Sequence, residues 1–142
     1  MSALPNGTRE TGNFSAPVYF NGYVYFCAVD DAIRAFQLSN GLLSTSPTSQ
    51  SSAVYPNRGG AFAISANGSS NGILWVVQDN NPSNGVLRAY DATNLASELY
   101  NSAQAGSRDA LDVASKFNIP LVANGKVFVA SNGRLTAYGL LP

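Results

Sequence analysis

A turn of the Asn-Gly type followed at once by a short apolar run occurs three times at nearly constant spacing. This periodicity restricts the fold more than any single residue does. The turns begin at Asn21, Asn71 and Asn124, spaced by 50 and 53 residues. The runs that follow are residues 23–28 (YVYFCA), 73–77 (ILWVV) and 126–130 (KVFVA). An alanine followed by an aromatic residue recurs in step, at Ala35-Phe36, Ala89-Tyr90 and Ala137-Tyr138. Pro17 and Pro120 each stand four residues before their Asn-Gly. Asn and Gly reach the left-handed conformations that tight hairpins need, so this pattern predicts antiparallel hairpins.

In chain order, the first unit predicts strands at 14–20, 23–28 and 32–38, with a fourth opening at 42–44 before a polar linker, 45–52 (TSPTSQSS). The second predicts strands at 61–66, 73–77, 86–90 and 98–101, with residues 67–72 as the first turn and 104–112 as a polar connection. The third predicts 117–123, 126–130 and 134–138, and the chain ends where its fourth strand should begin. Strong helical periodicity is missing; a single helical turn fits at 94–104 or at 108–116. The fold class is therefore all-β. A period of roughly 40–50 residues with four short antiparallel strands per unit predicts β-propeller blades. The blades span about 14–52, 53–107 and 108–142 of a single 1–142 unit. Propellers have about 4–8 blades, so three leave an arc with two raw ends. Closure then comes from self-association, two copies giving a six-bladed ring, or from further blades of a longer chain. Residues 1–13 form a polar arm that is available to supply the missing strand of the last blade.

The 142-residue chain carries 8 Lys and Arg against 8 Asp and Glu, and charged residues make up 11%, under half of the roughly 25% that is usual. A balanced surface offers no electrostatic footprint for nucleic acid, so no nucleic-acid partner is expected. Near-zero net charge favours association with copies of itself. There is no histidine, and Cys27 is the one cysteine. These counts remove an internal disulfide, cysteine-built metal sites and any Ser-His-Asp or Cys-His centre. No catalytic residue, cofactor ligand or metal ligand is therefore assigned. No run of about 20 apolar residues exists to span a membrane as a helix. The first residues lack the basic region and apolar core of a signal peptide.

Some residues still merit weighing. Asp30-Asp31 is a paired carboxylate for calcium or acid-base work, or simply a turn. Arg34 and Arg88 each precede an Ala-aromatic pair, and Arg134 lies three residues before its own. These arginines are candidates to line the propeller channel and take an anion, or to flank strands with charge. Asp79, Asn80, Asn81 and Asn84 form an oxygen-rich loop without the regular calcium-loop pattern. Arg108, Asp109, Asp112 and Lys116 read as a solvated face. Tyr19, Phe20, Tyr23, Tyr25 and Phe26 read as packing between blades, or as a stacking platform for a glycan. Cys27, in an apolar run, predicts an inert buried thiol. Asn6, Asn13 and Asn67 fit the short N-glycosylation pattern.

The stretches GLLSTSPTSQSS, ISANGSSNGILW, VLRAYDATNLASELYNS and KFNIPLVANGKVFVAS with LTAYGLLP resemble the C-terminal part of bacterial quinoprotein-like (PQQ repeat-like) β-propeller proteins. The likeness runs from Asn13 onward. Blades of that family end in a turn of the Asp-x-x-x-Gly kind. Residues 37–41 (QLSNG) resemble it, as do residues 91–95 (DATNL), which lack the glycine. The resemblance implies a propeller in an extracellular or periplasmic protein. Dehydrogenases of the family hold pyrroloquinoline quinone beside a calcium ion, with a carboxylate base, a stacking tryptophan and a disulfide. Here the one tryptophan, Trp75, lies in an apolar run, and no matched position supplies the base or the calcium ligands. The expectation is a non-enzymatic binding or assembly module that associates with itself. The alternatives are a fragment of a PQQ-dependent oxidoreductase and an extracellular carbohydrate-binding propeller.

Overall fold

The computed structural model describes residues 12–56 and 58–139. The described residues form three antiparallel sheets and no α-helix. Sheet I holds β1 (Val18–Phe20), β2 (Tyr23–Phe26), β3 (Asp31–Ser39) and β5 (Ser49–Tyr55) in that spatial order. The two-residue β4 (Leu42–Leu43) folds back on the end of β3. Sheet II runs in order through β6 (Ala61–Asn67), β7 (Ser70–Gln78), β8 (Val86–Asp91) and β9 (Asn94–Asn101). Sheet III has three strands, β10 (Leu121–Ala123), β11 (Lys126–Ser131) and β12 (Arg134–Tyr138). No sheet closes on itself among the described residues.

The three sheets share one register. Ala35, Ala89 and Ala137 pair with Tyr25, Trp75 and Phe128 respectively. Those aromatics pair in turn with Val18, Ala63 and Leu121 on the first strands. Pro17 and Pro120 stand directly before β1 and β10, where the missing N–H removes no ladder bond. Side chains alternate across each sheet, and two cores result. The first lies between sheets I and II and joins Tyr25, Ile33 and Tyr55 to Leu74, Val76 and Tyr90. The second lies between sheets II and III and joins Val77 and Leu87 to Val127, Val129 and Tyr138. Leu111 and Ala114, from the connection after β9, complete it.

Several local expectations need correction. Residues 45–52 are not all linker, because Ser49–Tyr55 is the outer strand of sheet I. A serine-rich strand fits there because it is an edge with one solvated side. Its Ser51 Oγ accepts the Ile33 N–H at 3.0 Å and donates to the Ala53 carbonyl. The fourth strand expected at 42–44 is only the small β4 hairpin. The β6–β7 reversal falls at Gly68-Ser69, inside the expected turn 67–72 but ahead of Asn71-Gly72. Asn71 instead sits inside β7 at φ 54°, beside a register shift in the ladder. Gly72 is required for packing, since a β-carbon there would collide with the Phe20 ring. The stretch 94–104 is mostly strand, and 108–116 holds no helix; one 3-10 turn covers Gly106–Arg108. Strands expected at 14–20 and 117–123 shorten to Val18–Phe20 and Leu121–Ala123. The arm at 1–11, the Asn6 pattern and the chain end at 140–142 lie outside the described residues.

Candidate functional site

The lead-in segments of the three first strands converge. Strand β1 touches β6, and β6 touches β10. Residues 14–18, 58–59, 61–62, 115 and 117–119 there line an open cavity of about 190 Å³, with Val77 and Asp79 behind. Ser15 Oγ donates to the Gly60 carbonyl, tying the first two segments together. Asn118 Nδ2 donates to the Ala130 carbonyl, anchoring the third. Arg58 Nη1 donates to Asp79 Oδ2 at 2.9 Å, and Asp79 is 7% exposed. The Arg58 guanidinium lies over the Phe117 ring at 5.9 Å. Phe117 is 61% exposed at a φ of 59°, a left-handed backbone that a bulky residue adopts at a cost of order 1–3 kcal/mol. Phe14 and Ile119 are also exposed at the rim. Sequence reasoning missed Arg58, Phe14 and Phe117. The one signal available was their shared position ahead of the first strand of each sheet, β1, β6 and β10.

The sequence-derived candidates lie elsewhere. Arg34 pairs with Asp31 at 2.8 Å on the outer face of sheet I. Asp30 is an exposed turn residue at φ 57°. Arg134 meets Asp112 at 3.4 Å on the surface. Arg88 enters the seam between sheets I and II, giving Nη1 to Glu98 Oε2 at 2.6 Å and Nε to Gln78 Oε1 at 2.9 Å. The three arginines thus occupy three separate ion pairs and do not meet. Arg108 pairs with Asp109 at 2.7 Å; Arg108 is exposed as a solvated face would be, whereas the Asp109 side chain is mostly buried and also accepts from Tyr100. Among the described residues no group of three His, Cys, Asp or Glu could hold a metal ion. No helix among them is long and apolar enough to cross a membrane.

Arg88 belongs to a hydrogen-bonded chain through that seam. Tyr55 Oη donates to Tyr90 Oη at 3.0 Å, and Tyr90 Oη donates to Glu98 Oε2 at 3.1 Å. Burial pushes the Tyr55 and Tyr90 hydroxyls above the usual phenol range. Burial works against the Glu98 carboxylate too, but hydrogen bonds from Asn101 and Arg88 outweigh it and hold Glu98 below its ordinary value. Tyr25 donates across the same seam to the Ala92 carbonyl at 2.8 Å, and its hydroxyl is pushed by burial up to about 12. Cys27 is 1% exposed and is likewise pushed by burial to about 12, so the thiol stays protonated and inert. These hydrogen bonds order the seam between sheets I and II.

The two ends of the stack differ from its interior. The outer face of sheet I carries Val24, Phe26, Arg34 and Phe36, with the Phe26 and Phe36 rings stacked at 4.9 Å. By register these match Leu74, Val76, Arg88 and Tyr90 of sheet II. The outer face of sheet III carries Phe128, Ala130, Leu135 and Ala137, matching Tyr25, Cys27, Ile33 and Ala35 of sheet I. Ile33 is 0% exposed and Leu135 is 69% exposed. The chain matches no protein-family model, no curated protein and no solved structure.

Proposed function

We propose that the chain is a non-enzymatic assembly module, a three-bladed arc of a β-propeller that completes its stack with a second copy of itself. The observation that carries this reading is the match between free and buried faces. At both internal seams, the face holding the Ala-aromatic pairing of one sheet packs on the opposite face of the next. Sheet III offers the first kind of face to solvent and sheet I the second. By register, each free face therefore carries its residues at the positions whose counterparts are covered inside the molecule. Arg34 adds a polar requirement: its Nε is buried without a hydrogen-bond partner, whereas Arg88 at the matching position bonds Gln78. Leu135 on the sheet III face is 69% exposed, while Val24, Phe26 and Phe36 on the sheet I face are partly exposed; apolar residues left open in this way mark interfaces, and a chain with no net charge offers little repulsion between copies.

The propeller reading draws support from the convergence of the first strands, the shared register and the sequence period near 50 residues. The native mass in solution tests the assembly. The expected result is a discrete dimer near twice 14.9 kDa, converted to monomer by Leu135→Glu or by Phe36→Glu. A wild-type chain that stays monomeric up to about 100 μM, where an interface with a micromolar Kd would be filled, overturns the reading.

A further inference from the structure

We infer that the cavity between residues 14–18, Arg58 and residues 117–119 is a binding site for a small uncharged aromatic molecule that carries one hydrogen-bond acceptor. It forms within a single copy, so it stands independently of the assembly reading. Three features carry the inference. The first is size. The cavity holds about 190 Å³, and an apolar cavity of about 150 Å³ accepts benzene, so a single six-membered ring with a short substituent fits. The second is the lining. Pro17, Val18, Phe62, Val77 and Ile119 give apolar walls, and Phe14 and Phe117 present exposed rings at the mouth. Aromatic rings attract one another edge-to-face or offset. Phe117 keeps its ring at the mouth on a left-handed backbone.

The third is charge. Arg58 and Asp79 already neutralise each other at 2.9 Å. A carboxylate ligand would compete with Asp79 for the guanidinium, and an ammonium would compete with Arg58 for the carboxylate. A guanidinium has five N–H donors, so one that gives Nη1 to Asp79 can still donate to a neutral acceptor. A sugar fits poorly for the opposite reason. Its several hydroxyls need partners, and of the polar side chains in the lining Ser15, Asn118 and Asp79 are already bonded to Gly60, Ala130 and Arg58, while an unpaired buried hydroxyl is costly. The chemistry recognised is an amide, ketone or phenol on one aromatic ring.

Benzamide is the probe, titrated into the full chain and followed by amide chemical shifts. The expected result is saturable shifts at residues 14–18, 58–62 and 115–119 with a Kd on the order of 1 mM, as suits so small a ligand. Benzoate and benzylamine should bind at least tenfold more weakly, and glucose should leave the spectrum unchanged. Ala16→Trp and Ile119→Trp, both at exposed positions, should each fill the mouth and abolish the shifts while leaving the melting temperature near wild type. If one variant fails to fold, the other decides. No saturable shift with benzamide, equal binding of either charged analogue, binding of glucose, or wild-type binding by a folded variant overturns the assignment.

Discussion

Where sheet II meets sheet I, Arg88 stands one residue before Ala89-Tyr90 and is held by Glu98 and Gln78. Where sheet III meets sheet II, the register-equivalent residue is Thr136, whose hydroxyl is buried without a hydrogen-bond partner. The first seam is crossed directly by hydrogen bonds, from Tyr55 to Tyr90 and from Tyr25 to Ala92. In the second, Tyr100 of sheet II and Tyr138 of sheet III both donate to Asp109, at its carboxylate and its carbonyl respectively. The connection after β9 therefore mediates the second seam. It also pairs Val113 with Asn84 on one side and Ala114 with Ser131 on the other. One layout of apolar faces is thus fixed in two ways. Direct polar bonds set the orientation of sheets I and II, and an inserted segment links II to III.

The largest test compares Leu74 with Leu87. Both are 0% exposed and lie on opposite faces of sheet II, one in each core. Each truncation to alanine should cost about 2–5 kcal/mol, because it removes transfer energy and leaves a cavity. Leu74→Ala should cost the more. Sheets I and II are tied by hydrogen bonds and cannot close over the space, whereas the connection between II and III can settle. Urea unfolding of the two variants measures this, and a larger loss for Leu87→Ala would reverse the ranking of the seams.

Glu98→Gln comes next. It leaves Arg88 without its charged partner in a mostly buried place and should cost about 1–3 kcal/mol at neutral pH. The cost depends on pH in a defined direction. The folded protein holds Glu98 below the ordinary glutamate value of 4.5, so the folded state favours the charged form. The stability this gives is fully present above pH 4.5 and is lost as pH falls through the lower folded value. The gap between wild type and Glu98→Gln should therefore narrow below about pH 4.5 and stay constant above it. A gap that widens in acid would mean that Glu98 is not the charged member of the chain.

How much of this was legible in the sequence follows from what each feature depends on. The hairpins at Asn21-Gly22 and Asn124-Gly125 were legible because positive φ is a local demand, met by these residues at 46° and 86° and at 49° and 68°. The Ala-aromatic markers were legible because their spacing is local too, and they locate the shared register. Asn71-Gly72 misled because its glycine answers a distant demand, contact with Phe20. The strand at Ser49–Tyr55 was hidden because its buried residues include Ser51, whose role is to accept the Ile33 N–H. The cavity was out of reach. Phe14, Arg58 and Phe117 come together only when three lead-in segments, distant in sequence, converge. Nothing in the local pattern of any one segment announces the other two.

The smallest expected effect is also the sharpest test of the contrast between the seams. Thr136→Val replaces a buried, unpartnered hydroxyl with a methyl group of nearly the same shape. A buried polar group without a partner costs about 1–3 kcal/mol of desolvation, and replacing it by an apolar isostere recovers part of that. Valine also suits a strand as well as threonine does. The variant should therefore gain about 1 kcal/mol in urea unfolding, with an unchanged denaturant slope. The matched change at the first seam, Arg88→Met, should lose stability, because it strips Glu98 and Gln78 of their partner. Opposite signs at register-equivalent positions would establish that the two seams share a layout and differ in how polar groups are satisfied. A loss at Thr136→Val would instead place a partner on the threonine hydroxyl and make the second seam polar as well.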